Sequence, residues 1–151
     1  MAKNTTKKLV PNWDYSPSLE STSHITILPR YELFINNEWV KPTSKKYFKT
    51  TNPATEEVLS EIAWANDKDV DLAVKAARKA YEDVWSKTTP KERSKYIYRI
   101  ARLMQEQARE LSVIETLDAG KPIREARDID VPLACNHFFY YAGWADKLEY
   151  A

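Results

Sequence analysis

Glycine is almost absent from this chain: the 151 residues contain two, Gly120 and Gly143, and each stands alone. A loop that cradles phosphate needs several backbone N–H groups close to the ligand, usually through clustered glycines, so no nucleotide-binding turn is recognisable. Cysteine is scarcer still. The lone Cys135 excludes an intramolecular disulfide and a cysteine-based zinc centre, and it fits a reducing compartment, with the cytoplasm as the expected location. Long apolar runs are missing: no window approaches the roughly 18 residues of a membrane span. The opening MAKNTTKK is followed by Pro11, Trp13 and Asp14 instead of an apolar core, which argues against a secretory signal. Charge of one sign is also lacking. Lys and Arg number 23 against 22 Asp and Glu, a formal net charge of +1, so neither nucleic acid nor a membrane surface is expected as a partner.

What is present is the composition of a soluble globular protein, 43% hydrophobic and 30% charged. Residues 1–29 are rich in Ser, Thr and Lys and broken by Pro11, Pro17 and Pro29. They read as a flexible tail, with Trp13, Tyr15 and the group Ile25, Ile27 and Leu28 as the side chains able to pin it to a neighbouring surface. From Tyr31 to Val40 aromatic and β-branched residues flank Asn36-Asn37, a pair suited to the tight turn of a β-hairpin. Tyr47 to Thr51 and Val58 to Trp64 read as short strands around the NPATEE turn. The pairing expected of these pieces is antiparallel.

Helices follow. Asn66 or Asp67 is expected to cap the first, whose apolar stripe is Val70, Ala73, Val74, Ala77, Tyr81, Val84 and Trp85. Thr89-Pro90 with Glu92 is a capping box with proline in the first turn. It predicts a single long helix with a stripe of Ile97, Ile100, Met104, Ala108, Leu111, Ile114 and Leu117, ended by Gly120 and Pro122. Ile123 to Ile129 predicts a turn or two of helix, interrupted by Pro132, with Asp130 as the cap of a last helix. Leu133, Ala134, Phe138, Tyr141, Ala142, Ala145 and Leu148 line one side of that helix.

Few residues suggest chemistry. Cys135 and His137 stand two residues apart, but two ligands are too few for zinc, and no local signature marks a reactive thiol. Cys135 is expected to be structural and His137 a surface or packed side chain. His24 has no partner motif. Glu56 with Glu57 and Asp128 with Asp130 are expected in turns, caps or solvated faces, not as acid-base pairs.

Four segments nevertheless stand in a telling order: FINNEWV (Phe34 to Val40), TTNPATEEVL (Thr50 to Leu59), DVDLAVKAARKAY (Asp69 to Tyr81), and ETLDAGKP leading to YYAGWADKL (Glu115 to Leu148). Together they resemble the N-terminal region of the NAD(P)-dependent aldehyde dehydrogenases over roughly Tyr31 to Ala151, with DAGKP in place of the commoner DNGKP.

The resemblance implies an α/β fold in the full enzyme, of which this segment is mainly α-helical with a small antiparallel β-hairpin or sheet. Residues 30–151 would form the N-terminal part of the cofactor-binding domain. The family oxidises an aldehyde to a carboxylic acid with NAD or NADP through a cysteine thioester. Its nucleophile, deacylating glutamate, oxyanion-stabilising asparagine and cofactor turn lie downstream of YYAGWADKL, so this chain is expected to carry no catalytic residue, to bind no cofactor alone and to be inactive. Two roles carry over. Thr50, Thr51 and Asp118 fall where many members hold a structural monovalent cation, and Leu133 falls on the helix bordering the substrate tunnel. The expected partners are a missing C-terminal portion or homologous dehydrogenase subunits in an oligomer. A second reading is a non-catalytic assembly module that pairs with a dehydrogenase chain.

Overall fold

A computed structural model describes residues 21–147. Five short strands precede the helices: β1 (Arg30–Tyr31), β2 (Leu33–Ile35), β3 (Glu38–Val40), β4 (Tyr47–Thr51) and β5 (Val58–Ala63). β2 and β3 form the expected hairpin, with Ile35 opposite Glu38. Asn36 and Asn37 both have positive φ, 54° and 65°, as a two-residue turn of the primed type requires. Phe34 and Trp39 face one another across the hairpin, ring centroids 5.1 Å apart, the cross-strand aromatic pair that stabilises such ribbons.

β4 and β5 pair antiparallel around the NPATEE turn, with a register shift at Thr50 and Thr51. The Asn52 side chain accepts the Ala54 N–H at 2.9 Å, and Glu56 takes the left-handed φ of 60° that closes the reversal. β1 adds a feature absent from the sequence reading, because it runs parallel to β5 and makes the three-stranded sheet mixed. The residues just before β1 also bond to the sheet. Ser60 Oγ donates to the Leu28 carbonyl at 2.7 Å and the Glu61 N–H to the Pro29 carbonyl. Ile25 and Ile27 are half-buried. Trp13 and Tyr15 lie outside the described residues.

α1 (Asp67–Asp83) begins at Asn66, whose side chain accepts the N–H groups of Lys68 and Asp69. Asp69 answers by accepting the Asn66 N–H at 3.0 Å. Its other oxygen takes the Thr43 N–H at 3.0 Å, which ties the loop after the hairpin to the helix start and leaves Asp69 buried. The stripe expected on α1 is present but uncovered: Val74 is 60% exposed, and Val70, Tyr81 and Val84 are exposed with it.

The long helix expected from Pro90 to Ala119 is two helices, α2 (Pro90–Glu106) and α3 (Ala108–Ala119), broken at Gln107 with φ −100° and ψ 14°. No proline or glycine marks the break. Ser112 Oγ donates to the Ala108 carbonyl at 2.7 Å, a back-bond to the preceding turn that bends helices.

Pro132 was expected to interrupt the last helical stretch, and it does not. The short α4 (Ile123–Glu125) passes through a π turn (Ala126–Asp130) into α5 (Val131–Trp144). The Val131 N–H bonds to the Ala126 carbonyl, one residue further back than in an α-helix, which places Pro132 in the first turn of α5, where its missing N–H leaves no bond unmade. Asp130 is helical and makes no cap; its carboxylate pairs with Lys121 instead.

α2 packs along α5 through small residues. Ala101 and Ala142 are buried, Ser94 Oγ donates to the Ala142 carbonyl at 2.6 Å, and Tyr98 meets Phe139 edge-on at 4.9 Å. Buried apolar residues among those described are Ala63, Ala101, Val113, Ala126, Val131, Cys135 and Ala142. Large apolar side chains are mostly left outside, which reverses the usual partition in a finished domain.

Candidate functional site

Two of the proposed cation ligands meet. Thr50 ends the regular pairing of β4, and Asp118 lies in the last turn of α3, 68 residues later; the Thr50 hydroxyl donates to the Asp118 carboxylate. Thr51 stands at the register shift and is exposed. Next to this contact α3 ends at Gly120, whose φ is 70° and whose N–H bonds to the Thr116 carbonyl at 3.0 Å. A Cβ there would stand 2.6 Å from Cγ of Pro53. The NPATEE turn therefore lies directly on the α3 terminus, and glycine is required both for its backbone angle and for that approach.

Beside Asp118 opens a groove of about 580 Å³ between α3 and the π turn leading into α5. Leu111, Ile114 and Val131 are among the residues of its apolar floor, while Glu115, Asp118 and Asp130 supply carboxylates. Lys121 is the cation at hand. Its bond to Asp130 holds the ammonium above its ordinary pKa, and the charges of Asp130, Glu115 and Glu125 act in the same direction against partial burial. Sequence reasoning did not single out this pair, nor the buried Asp69, although the N-x-x-D spacing from Asn66 to Asp69 is a legible capping signal.

The remaining candidates are dispersed. Leu133 is 50% exposed on α5. Cys135 is 4% exposed, on the buried side of α5 with Val131 and Ala142, whereas His137 two residues on is exposed beside Tyr140 and Tyr141. His24 is exposed at the end of a 3-10 turn. Glu56 and Glu57 sit in the β4–β5 turn, and Asp128 is bound by its neighbour Arg127, which holds its carboxyl below the usual range. Among the described residues no three His, Cys, Asp or Glu side chains come together as a metal site, and no helix is long and apolar enough to cross a membrane.

Comparison with known proteins joins these observations. The model of the aldehyde dehydrogenase family matches residues 39–151. The chain is 47% identical over 117 residues to an aldehyde dehydrogenase of Alternaria alternata, covering 78% of this chain and 24% of that protein. It is 45% identical over 120 residues to the mitochondrial aldehyde dehydrogenase of Rattus norvegicus, covering 77% and 23%. Among solved structures, the NAD+ complex of an aldehyde dehydrogenase from Bacillus cereus superposes with a TM-score of 0.78 at 40% identity, over 89% of this chain and 27% of that one. The chain thus spans about a quarter of the length of the relatives it matches.

Proposed function

Because the chain belongs to the aldehyde dehydrogenase family, we propose that it serves as the N-terminal segment of an enzyme that oxidises an aldehyde to a carboxylic acid with NAD or NADP. In this reading residues 30–151 are the first part of the cofactor-binding domain. The thiolate, the cofactor turn and the acid-base groups come from polypeptide outside the chain, and the assembled enzyme is oligomeric and cytoplasmic. The observation that carries the reading is the family match over 39–151. The uncovered aromatic and aliphatic faces support it, with Tyr141 60% exposed and Trp144, Val74 and Leu133 exposed alongside. Leaving such surface in water costs about 25 cal/mol per Å², which the remainder of an enzyme would recover by covering it.

Within the assembled enzyme, Leu133 would border the path of the aldehyde. Thr50 and Asp118 would supply oxygen to a monovalent cation, joined by Thr51. Two hard oxygen donors already in contact suit such an ion, which would neutralise the Asp118 carboxylate and tie β4 to the end of α3. Cys135, buried in α5, is left a packing role.

The test joins residues 1–151 at Ala151 to the downstream remainder of the Alternaria relative and follows NADH or NADPH formation with short aliphatic and aromatic aldehydes. The hybrid is expected to turn over, and the chain alone to give no signal above buffer. Turnover by the chain alone, or none by a folded hybrid, would overturn the proposal.

A further inference from the structure

The uncovered stripe of α1 is Val70, Val74 and Tyr81, and another side of the same helix carries a different feature. Leu72, Ala76 and Ala80 recur there at four-residue steps and line, with Ile35 and Val40 of the β2–β3 hairpin, a groove of about 660 Å³. At one end the Thr43 N–H, bonded to the Asp69 carboxylate at 3.0 Å, joins the two walls. From Leu72 the groove follows α1 as far as Val84, about 18 Å of helix. Its volume is that of a small-molecule site.

Charge is distributed unevenly over this apolar surface. Lys41 just after β3 and Lys75 and Lys79 on α1 line the groove and are exposed. Among the described residues none of the three is in an ion pair. Lys75 and Lys79 are one turn apart, a like-charge spacing that destabilises a helix and that a bound anion relieves. The carboxylates are placed differently. Asp69 is buried with the N–H groups of Thr43 and Asn66 on its oxygens, while Glu38 and Asp83 stand on the parts of the two walls remote from that junction.

We propose that this groove binds a single-headed aliphatic anion, a medium-chain carboxylate, with its head among Lys41, Lys75 and Lys79 and its chain along Ala76, Ala80 and Ile35. Charge complementarity selects this occupant. A neutral apolar ligand would leave three ammonium groups without a counter-charge at the edge of a water-poor contact. A segment with many acidic residues, long enough to fill the groove, would meet Glu38 and Asp83. One anionic head on an apolar chain avoids both conflicts. The site goes beyond the dehydrogenase reading and does not depend on it. Lys75 and Lys79 keep this side of α1 charged, as helices are on the side turned to water, whereas the remainder of an enzyme would cover Val70, Val74 and Tyr81.

The experiment titrates the full chain calorimetrically with decanoate and with decyltrimethylammonium, which presents the same chain under a cationic head. Decanoate is expected to bind about tenfold more tightly than the cation. The Lys75→Gln, Lys79→Gln double variant should weaken decanoate about tenfold, the combined effect of two partly exposed ion pairs, and should not weaken the cation. Both lysines are exposed, so the variant should keep the far-UV circular dichroism of the parent. Lys49→Gln with Lys91→Gln, on exposed positions away from the groove, should change neither affinity, and Val74→Ser on the uncovered stripe should leave decanoate binding as it was. Equal affinity for the two heads, or loss of decanoate binding in Val74→Ser, would mean that the chain merely adheres to exposed apolar surface and would overturn the proposal. Absence of decanoate binding, indifference to the Lys75 and Lys79 substitutions, or flotation with phosphatidylserine vesicles in place of binding to free decanoate would each overturn it as well.

Discussion

Replacing Gly120 by alanine should be among the most damaging single-methyl additions this chain can receive. The backbone there sits at φ 70°, a left-handed conformation that costs a residue with a Cβ about 1–2 kcal/mol. The added carbon would also stand 2.6 Å from Pro53 Cγ and 3.3 Å from its Cβ. A proline ring cannot swing aside, so the β4–β5 turn must retreat from α3, an overpacking cost of about 1–3 kcal/mol. Together these predict a loss of about 2–5 kcal/mol, read by urea unfolding of the full chain through tryptophan fluorescence. The two causes separate in a double-mutant cycle. Pro53→Ala removes Cγ, so Gly120→Ala on that background should cost about 1–2 kcal/mol, the backbone share alone. Gly120→Ala costing less than about 0.5 kcal/mol would refute the close approach, and an unchanged cost on the Pro53→Ala background would refute the assignment of the clash.

Two further outcomes follow from charge. Asp69 is held below its ordinary pKa chiefly by the Asn66 N–H, with Thr43 adding to it, and Glu92 by the Thr89 hydroxyl and N–H. A depressed folded-state pKa means that protons favour the unfolded form, so this stabilisation is complete above the ordinary carboxylate range near pH 4 and is lost as pH falls through the folded value. Far-UV circular dichroism should therefore show helix loss on acidification below about pH 4, and the Asp69→Asn, Glu92→Gln double variant should flatten it; an unchanged acid profile would contradict this. For the proposed cation site, saturating K⁺ or Na⁺ against choline should stabilise the hybrid enzyme by about 2–3 kcal/mol at a hundredfold excess over Kd. Asp118→Asn should abolish that difference, and its persistence would move the cation elsewhere.

Local chemistry was legible in the sequence. The Asn36-Asn37 turn, the Asn66 cap and the Thr89 to Glu92 box each announce themselves within a few residues, and each is where its spacing placed it. Less visible were features settled by contacts distant in sequence. Pairing of β1 with β5 joins Arg30 to Glu61, and no local pattern reveals that it is parallel. The break at Gln107 carries no glycine or proline, and the π turn that accommodates Pro132 has no propensity signature. The apolar stripe of α1 was readable, but its being uncovered was not, since periodicity shows which residues share a face and says nothing of what lies against it. The Thr50 and Asp118 meeting came from family resemblance, because nothing in spacing joins residues 68 apart.

Hydrogen exchange tests most directly whether the packing partners of these helices lie outside the chain. Backbone amides of α1 and of the α5 stretch around Tyr140, Tyr141 and Trp144 should exchange readily in residues 1–151 alone, because their large apolar side chains are exposed. In the hybrid with the downstream remainder the same amides should slow by two orders of magnitude or more, equivalent to at least about 2.8 kcal/mol of added protection. Equal protection in both would mean that the segment is stable without a partner, and would contradict the account.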